Sequence, residues 1–290
     1  MAEVTTGTLS DSLPTVFAKA RIVREYEGTY KRTCEINDLA KGTGLNWNEI
    51  SLGQISAQDI TETTRNENFQ SIADTLFSIT PTMTQIAVKI TDRTYRRIAA
   101  VVEAKLGGLC GNAMARKKDE DYLALFATFA TTASPGSGNP ISFGHISASV
   151  ANITSNTTEG SNAEVYAVLH GFQWKDVQDE VLAGVGTYTI NDGLTEETFR
   201  KGFKGSVADA NGFVDNNIAV TATPNARGAV HSKEGVVCVL GMGLKKETRR
   251  DPSFGGGADE IFLTDEYGFG ERAAGSWCYT MLSDATAPTS

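Results

Sequence analysis

The stretch GQISAQDITETTRNENFQSIAD, residues 53–74, constrains this chain more than any other. Its larger apolar side chains are only Ile55, Ile60, Phe69 and Ile72, too few to offset the conformational entropy of ordering such a connection. Yet the residues on both sides read as strands. Ile50 and Leu52 alternate with polar neighbours; beyond the stretch, Phe77, Ile79, Pro81 and Met83 share one parity while Ile86, Val88 and Ile90 share the other. Period two is the strand signature, and the parity switch near Thr84 predicts a bulge or a change of packing partner. Residues 53–74 are therefore either a floppy loop or a long hairpin that packs on another subunit.

The segments that follow supply conventional cores. Thr91 and Asp92 are suitable helix caps, and Tyr95, Ile98, Val102, Leu106, Leu109 and Ala113 recur at steps averaging 3.6, which predicts a helix with one buried stripe. Gly107, Gly108 and Gly111 inside it predict a bend or a close backbone contact. The run RKKDED interrupts the apolar pattern before YLALFATFA resumes it, and residues 134–140 form a loop. HISASVANITSN reads as a small helix, EVYAVLH as a buried strand and GFQWKDVQDEVLAG as an amphipathic helix ended by Gly184. Residues 185–228 suggest short strands joined by turns. GVVCVLGMGLKKETRR and DEIFLTDEYGFGE read as a hairpin around DPSFGGGA, and DATAPTS as a frayed tail. Strands and helices mix without regular alternation, so the fold class is α+β.

Charge sorts these segments by role. The 290 residues carry Lys+Arg 26 against Asp+Glu 35, a net charge of −9 that argues against broad coating of nucleic acid. Residues 122–158 hold no Asp, Glu, Lys or Arg, whereas residues 159–215 hold ten acids against four bases, which predicts a solvent-facing acidic surface. No window approaches a membrane span, and MAEVTTGTLSDSLP has neither the basic flank nor the apolar stretch of a signal peptide. Residues 1–13 read as a mobile arm.

The chemistry-bearing residues do not converge. Cys34, Cys110, Cys238 and Cys278 form no C-x-x-C pair and read as reduced structural thiols; His145, His170 and His231 are equally dispersed. Nucleophile elbow, zinc-helix, Walker and G-x-G-x-x-G motifs are all absent. Gly241-Met242-Gly243 reads as packing or a bulge, and Asp265 and Glu266 point to opposite faces of a strand. Lys245, Lys246, Arg249 and Arg250 are the most concentrated basic patch. They are either a solvated strand end or ionic contacts to an acidic neighbour.

Taken in order, the arm, the polar extension, TDRTYRRIAAVVEAKLGGLCGNAMARKKDEDYLALF, AEVYAVLHGFQWKDVQDEVLAG and KKETRRDPSFGGGADEIFLTDEYGFGERAAG resemble a major capsid (coat) protein of a tailed bacteriophage with the Hong Kong-97-type fold. The resemblance is one of segment order across almost the whole chain. It implies an N-terminal arm at 1–41, an extended loop at 42–90, a peripheral domain beginning at 91–163 with a long spine helix, an axial domain at 164–240, returning peripheral strands at 241–275 and a C-terminal tail at 276–290. It implies a non-enzymatic shell protein without cofactor, whose extended loop lies on a neighbouring subunit. Ile55, Ile60, Glu62, Arg65, Glu67, Phe69, Lys245, Lys246, Arg249 and Arg250 become the interface candidates. The implied partners are copies of itself as pentamers and hexamers, a portal, and scaffolding or decoration proteins. The shell encloses double-stranded DNA without reading its sequence, touches no membrane, assembles in the host cytoplasm and resides in the virion. The prototype's intersubunit bond joins a loop lysine to an asparagine; residues 42–88 contain no lysine and residues 251–260 no asparagine, which predicts a non-covalent shell. Two other readings stay open: an encapsulin-like nanocompartment, and a soluble hydrolase or lyase using His170 or His231.

Overall fold

The tip of the predicted hairpin shows how the sequence builds the first sheet. In a computed structural model, which describes residues 28–42, 44–63, 65, 69–97, 100–156, 162–185, 206–273 and 275–289, β10 (Val236–Asp251) and β11 (Ala258–Glu271) pair antiparallel from Val236↔Glu271 to Asp251↔Ala258. The turn between them needs left-handed backbone at Gly255, Gly256 and Gly257, with φ of 52°, 86° and 114°, which glycine adopts without steric cost. Register shifts around Met242 make the Gly241-Met242-Gly243 run a bulge. After α1 (Tyr30–Thr33), β1 (Glu35–Asp38) runs parallel to Val237–Leu240, and β4 (Thr82–Thr91) flanks β11, giving the order β1-β10-β11-β4.

β2 (Trp47–Leu52) and β3 (Asp74–Ile79) form a separate two-stranded sheet, from Trp47↔Ile79 to Leu52↔Asp74. The parity switch near Thr84 is not a bulge, because β4 pairs with β11 without interruption from Thr82↔Tyr267 to Thr91↔Ala258. It is a change of partner across Thr80-Pro81, from β2 to β11.

α2 (Asp92–Tyr95) starts at Thr91, whose hydroxyl accepts from Thr94 N at 3.3 Å. α3 (Ala100–Leu125) then runs straight through the charged run expected to interrupt it. Arg116–Glu120 and Lys117–Asp121 are i,i+4 ion pairs, and Lys118 reaches Asp265 at 2.6 Å, so these charges support the helix. Of the expected stripe, Ile98 and the side chains of Tyr95, Val102 and Leu106 lie outside the described residues, and at the two remaining positions burial falls one residue later. Leu109 is 38% exposed and Ala113 half-buried, while Cys110, Met114, Tyr122 and Phe126 are buried. Tyr122 and Phe126, one step of four apart, seat in the core. Nor do the glycines mark a close contact among the described residues, where a Cβ at Gly107, Gly108 or Gly111 meets nothing within 4 Å.

The second unit is a six-stranded sheet, β5-β12-β9-β6-β8-β7, from β5 (Thr131–Thr132), β6 (Val165–Leu169), β7 (Ser206–Val207), β8 (Ala210–Val214), β9 (Asn225–Ser232) and β12 (Cys278–Asp284). α4 (Phe143–Thr154) and α5 (Gly171–Val185) cover it, burying Ile146, Val150, Ile153, Trp174 and Val177 against Val165, Ala167, Leu169, Val230 and Met281. α5 includes Gly184, so that glycine does not end it. β12 corrects the expected boundaries: residues 278–284, assigned to a tail, lie inside the sheet, and β5 joins the same sheet from a segment assigned to the first peripheral part. Gln173 fastens this arrangement, its amide donating to Ser283 Oγ at 2.7 Å and Ala226 O at 3.0 Å. Only 286–289 of the tail are exposed without regular structure. A further core, with Tyr122, Phe126, Val168, Ala229, Val236, Cys238 and Trp277, joins α3 to both sheets.

Candidate subunit interface

The two faces of the β2–β3 hairpin have opposite fates. On one, Trp47, Phe77 and Ile79 pack beside Val237 and Val239, with the Trp47 and Phe77 rings edge-to-face at 6.1 Å. On the other, Ile50 and its cross-strand partner Leu76 are exposed, as is Leu52. The base is bracketed by Arg272, which donates to Glu49 Oε2 at 2.9 Å, Glu35 Oε2 at 2.7 Å and the Glu234 carbonyl at 2.9 Å. Hydrogen bonding from this guanidinium holds the Glu35 carboxyl below its usual range.

Beyond β2 and β3 the branches stay together through Gly53 N to Ala73 O at 2.7 Å and two bonds between Ser56 and Gln70. Every described residue from 53 to 73 is exposed. Among the interface candidates, Ile55, Ile60, Glu62, Arg65 and Phe69 lie there, Phe69 at 91% exposure; Glu67 is outside the described residues. The segment is thus a hairpin closed at its base whose apolar side chains are exposed among the described residues, as one of the two readings of its composition has it.

The basic candidates line the distal half of β10. Lys245 pairs with Glu247 at 2.5 Å, and Arg249, 74% exposed, approaches Glu260 at 3.8 Å. Lys246 is exposed. Arg250 is engaged internally: it clasps Asp92 through two bonds of 2.6 and 2.5 Å and reaches Asp259 at 3.1 Å, raising its own pKa. Lys89 holds the other side of the tip between Asp251 and Glu260, both at 3.1 Å, and lies 3.8 Å over the Phe254 ring. Next to this tip is a cleft of about 320 Å³ lined by Asp92, Arg93, Arg96, Arg97, Gly255 and Gly256. Sequence reasoning missed its arginines, although TDRTYRR displays them; read only for helical period, they were part of a spine.

A second missed feature is buried. Asp119 of α3 and Asp215 after β8 are fully inaccessible and share donors. Thr29 N donates to Asp119 Oδ1 at 2.9 Å and Asp215 Oδ2 at 3.2 Å, and Thr29 Oγ1 donates to the same Asp215 oxygen at 2.8 Å. Asn217 Nδ2 serves Asp119 Oδ2 at 2.8 Å and its backbone N–H serves Asp215 Oδ1 at 2.9 Å. Burial, with the neighbouring Asp215 charge, pushes the Asp119 carboxyl up to about 6. The histidines offered as catalytic candidates are both buried. His231 is buried, lowered to about 4 by desolvation, and bonded to Tyr122 OH at 2.7 Å and the Ser232 carbonyl at 2.9 Å. His170 accepts from Phe172 N at 3.2 Å. Among the described residues neither is hydrogen-bonded to a carboxylate, and no three His, Cys, Asp or Glu side chains gather as a metal ion requires. All four cysteines are buried free thiols.

No family model and no curated protein matches this sequence. Solved structures do match it, across nearly the whole chain. The capsid of the cyanophage P-SCSP1u superposes with a TM-score of 0.69 at 14% identity, covering 96% of this chain and 94% of that one. The Mycobacterium phage Che8 chain gives 0.69 at 14% identity, with 95% and 99% covered. The capsid of the native GTA particle gives 0.66 at 11% identity, with 98% and 100% covered. The fold is therefore the α+β fold of these capsid chains, as the order of segments implied.

Proposed function

We propose that this chain is the major capsid protein of a tailed phage, self-assembling as pentamers and hexamers into an icosahedral shell around double-stranded DNA. One observation carries the proposal: a fold shared across nearly the whole length of capsid chains includes a hairpin whose outer face and described apolar side chains are exposed. Such a segment is ordered economically when it lies on a second copy, and repeated heterologous contacts close into rings and shells. The four-stranded sheet with α3 takes the part of the peripheral domain, and the six-stranded sheet with α4 and α5 the axial domain. In this division the axial unit gains residues 131–154 and 278–284. Ile55, Ile60, Glu62, Arg65, Phe69, Lys245, Lys246 and Arg249 remain contact candidates, and Glu67 stays with them by sequence alone. The portal and any scaffolding or decoration proteins are further partners, with assembly in the host cytoplasm and residence in the virion.

The acidic segment fits a container that does not grip its contents. Asp179 and Glu180 are exposed on α5, and Glu164 and Asp209 at strand ends, while Asp215 is buried; Glu159, Asp192, Glu196 and Glu197 lie outside the described residues. Exposed carboxylates turned toward packaged DNA repel its phosphates and leave the genome mobile. Electron microscopy of the expressed chain is the test. Closed shells or pentameric and hexameric rings are expected; a chain that stays small and monodisperse at all concentrations refutes the proposal. Particles filled with protein cargo in place of nucleic acid decide for the nanocompartment reading.

A further inference from the structure

We infer that the open edge of β10, over residues 243–250, receives one branch of the acidic loop of a second copy as an added strand. This inference rests on the shell reading and identifies where its main contact is made. Among the described residues β1 covers only Val237–Leu240, continued by Leu39 N to Leu240 O at 2.8 Å, and the edge beyond, over residues 243–250, is exposed. Past the bulge, β11 continues on the other side to Asp251↔Ala258, so it takes the N–H and C=O groups of alternate residues and the remainder face outward. Residues 244–250 are exposed without a break. A long strand edge of that kind is a template for another chain.

The charge on this edge selects what it pairs with. Lys245, Lys246 and Arg249 stand on it, and Arg93, Arg96 and Arg97 surround the cleft beyond its end. Two copies of such an edge repel each other, so β10 does not pair with β10, whereas an acidic strand is favoured. The chain supplies one. Residues 53–63 are exposed and carry Asp59 and Glu62 without a single Lys or Arg, and Ile55 and Ile60 in the same branch match Leu244, which is 53% exposed on the edge. Eight residues of strand extend about 27 Å, which residues 54–62 span when extended.

The experiment uses the full chain, with particles counted by sedimentation and electron microscopy. Lys246→Glu with Arg249→Glu, and separately Asp59→Lys with Glu62→Lys, are each expected to lower particle yield by about 10-fold or more, and all four together to restore it to within about 3-fold of wild type. These side chains are exposed, and urea unfolding of each unassembled variant controls for folding. Amide exchange in wild type is expected to slow by at least about 10-fold at alternate residues of 243–250 on assembly. Single reversals that assemble normally, a four-site variant no better than the basic reversal alone, or unchanged exchange along 243–250 overturns the pairing. Intact shells that lose DNA in the Lys246→Glu, Arg249→Glu variant assign the patch to phosphate and also overturn it. A wild-type chain that stays monomeric refutes the shell reading itself, whereas wild-type shells without rescue refute only this contact.

Discussion

The Asp119–Asp215 pair makes stability depend on pH in a direction opposite to that of surface ion pairs. The four carboxylate oxygens accept from backbone N–H groups, the Thr29 hydroxyl and the Asn217 amide, and Tyr30 N adds a longer bond of 3.4 Å. The nearest lysine along the helix, Lys118, is bonded to Asp265, and Tyr30, Cys34 and Tyr122 face the pair as neutral groups. With no cation among the described residues bonded to the pair, the folded state holds a proton there up to about pH 6, against an ordinary carboxyl value of 3.8. The folded chain thus binds more protons than the unfolded chain between those values. Stability from this site is fully present below pH 3.8 and is lost as pH rises through about 6; the gap corresponds to about 3 kcal/mol. Other groups titrate in the same window: Asp176 and Glu271 are also raised by burial, while His170 and His231 are lowered and act with the opposite sign. The difference between wild type and Asp119→Asn isolates the pair. The amide mimics the protonated carboxyl, and Asn217 can turn its own amide to meet it. Urea unfolding of the unassembled chain from pH 4 to 7, at constant m-value, should show the variant gaining roughly 2–3 kcal/mol relative to wild type. Parallel profiles would refute the account of an uncompensated buried charge.

Four further outcomes follow from single contacts. Gly228→Ala should destabilise by more than about 2 kcal/mol in thermal or urea unfolding, because its Cβ would lie 2.5 Å from the Val168 carbonyl oxygen and 3.2 Å from Leu169 Cα, neither of which can move aside. Gly108→Ala should stabilise the unassembled chain by about 0.5–1 kcal/mol, since it is helical and its Cβ position is empty; a lowered urea midpoint would contradict this. Arg272→Ala leaves Glu35 and Glu49 without their partner and should cost about 2–4 kcal/mol, with faster amide exchange at the base of β2 and β3. Denaturing electrophoresis of assembled particles should show one band at the mass of a single chain, and a ladder of linked oligomers would contradict the absence of the lysine and asparagine pair.

What the sequence displays and what it hides divide along the range of the interaction. The β10–β11 hairpin, the Thr91 cap, α4, β6 and the start of α5 are written in local period and turn residues, and the structure contains each of them. Which of Leu109 and Cys110 is buried in α3 was not legible, because both are acceptable core residues and only packing in the folded chain chooses between them. β12 was hidden for a similar reason. CYTMLSD has a weak alternation and sits beside a polar terminus, so its place between β5 and β9 is set by non-local pairing and by Gln173, more than a hundred residues away in sequence. The Asp119–Asp215 pair joins residues 96 positions apart (215 − 119), and no motif announces it. At the interface the loop's lack of apolar side chains was evident from composition, but the arginine cleft was not, since helical period alone says nothing of where Arg93, Arg96 and Arg97 meet the glycine-rich tip.

The placement of apolar and charged groups on this chain argues for contacts made in a defined order. Ile50, Leu52, Leu76, Ile55, Ile60 and Phe69 supply the apolar area that a neighbour can bury, and burial of such side chains is non-directional. Left alone, they would join copies in any register. The basic edge of β10 and the acids of the loop act over about 10 Å at moderate salt, farther than the apolar contacts, so they orient an approaching copy before its hydrophobic surface is engaged. The net charge of −9 opposes random association of whole subunits, and the proposed pairing of loop with edge would reverse that repulsion locally. Raised salt should therefore act on two steps with opposite signs, weakening the repulsion between subunits and also the guidance that selects the correct pairing. Particle yield should pass through a maximum with ionic strength while the fraction of malformed aggregates rises throughout, and a yield that only falls with salt would show that ionic contacts hold the subunits together as well as guiding them.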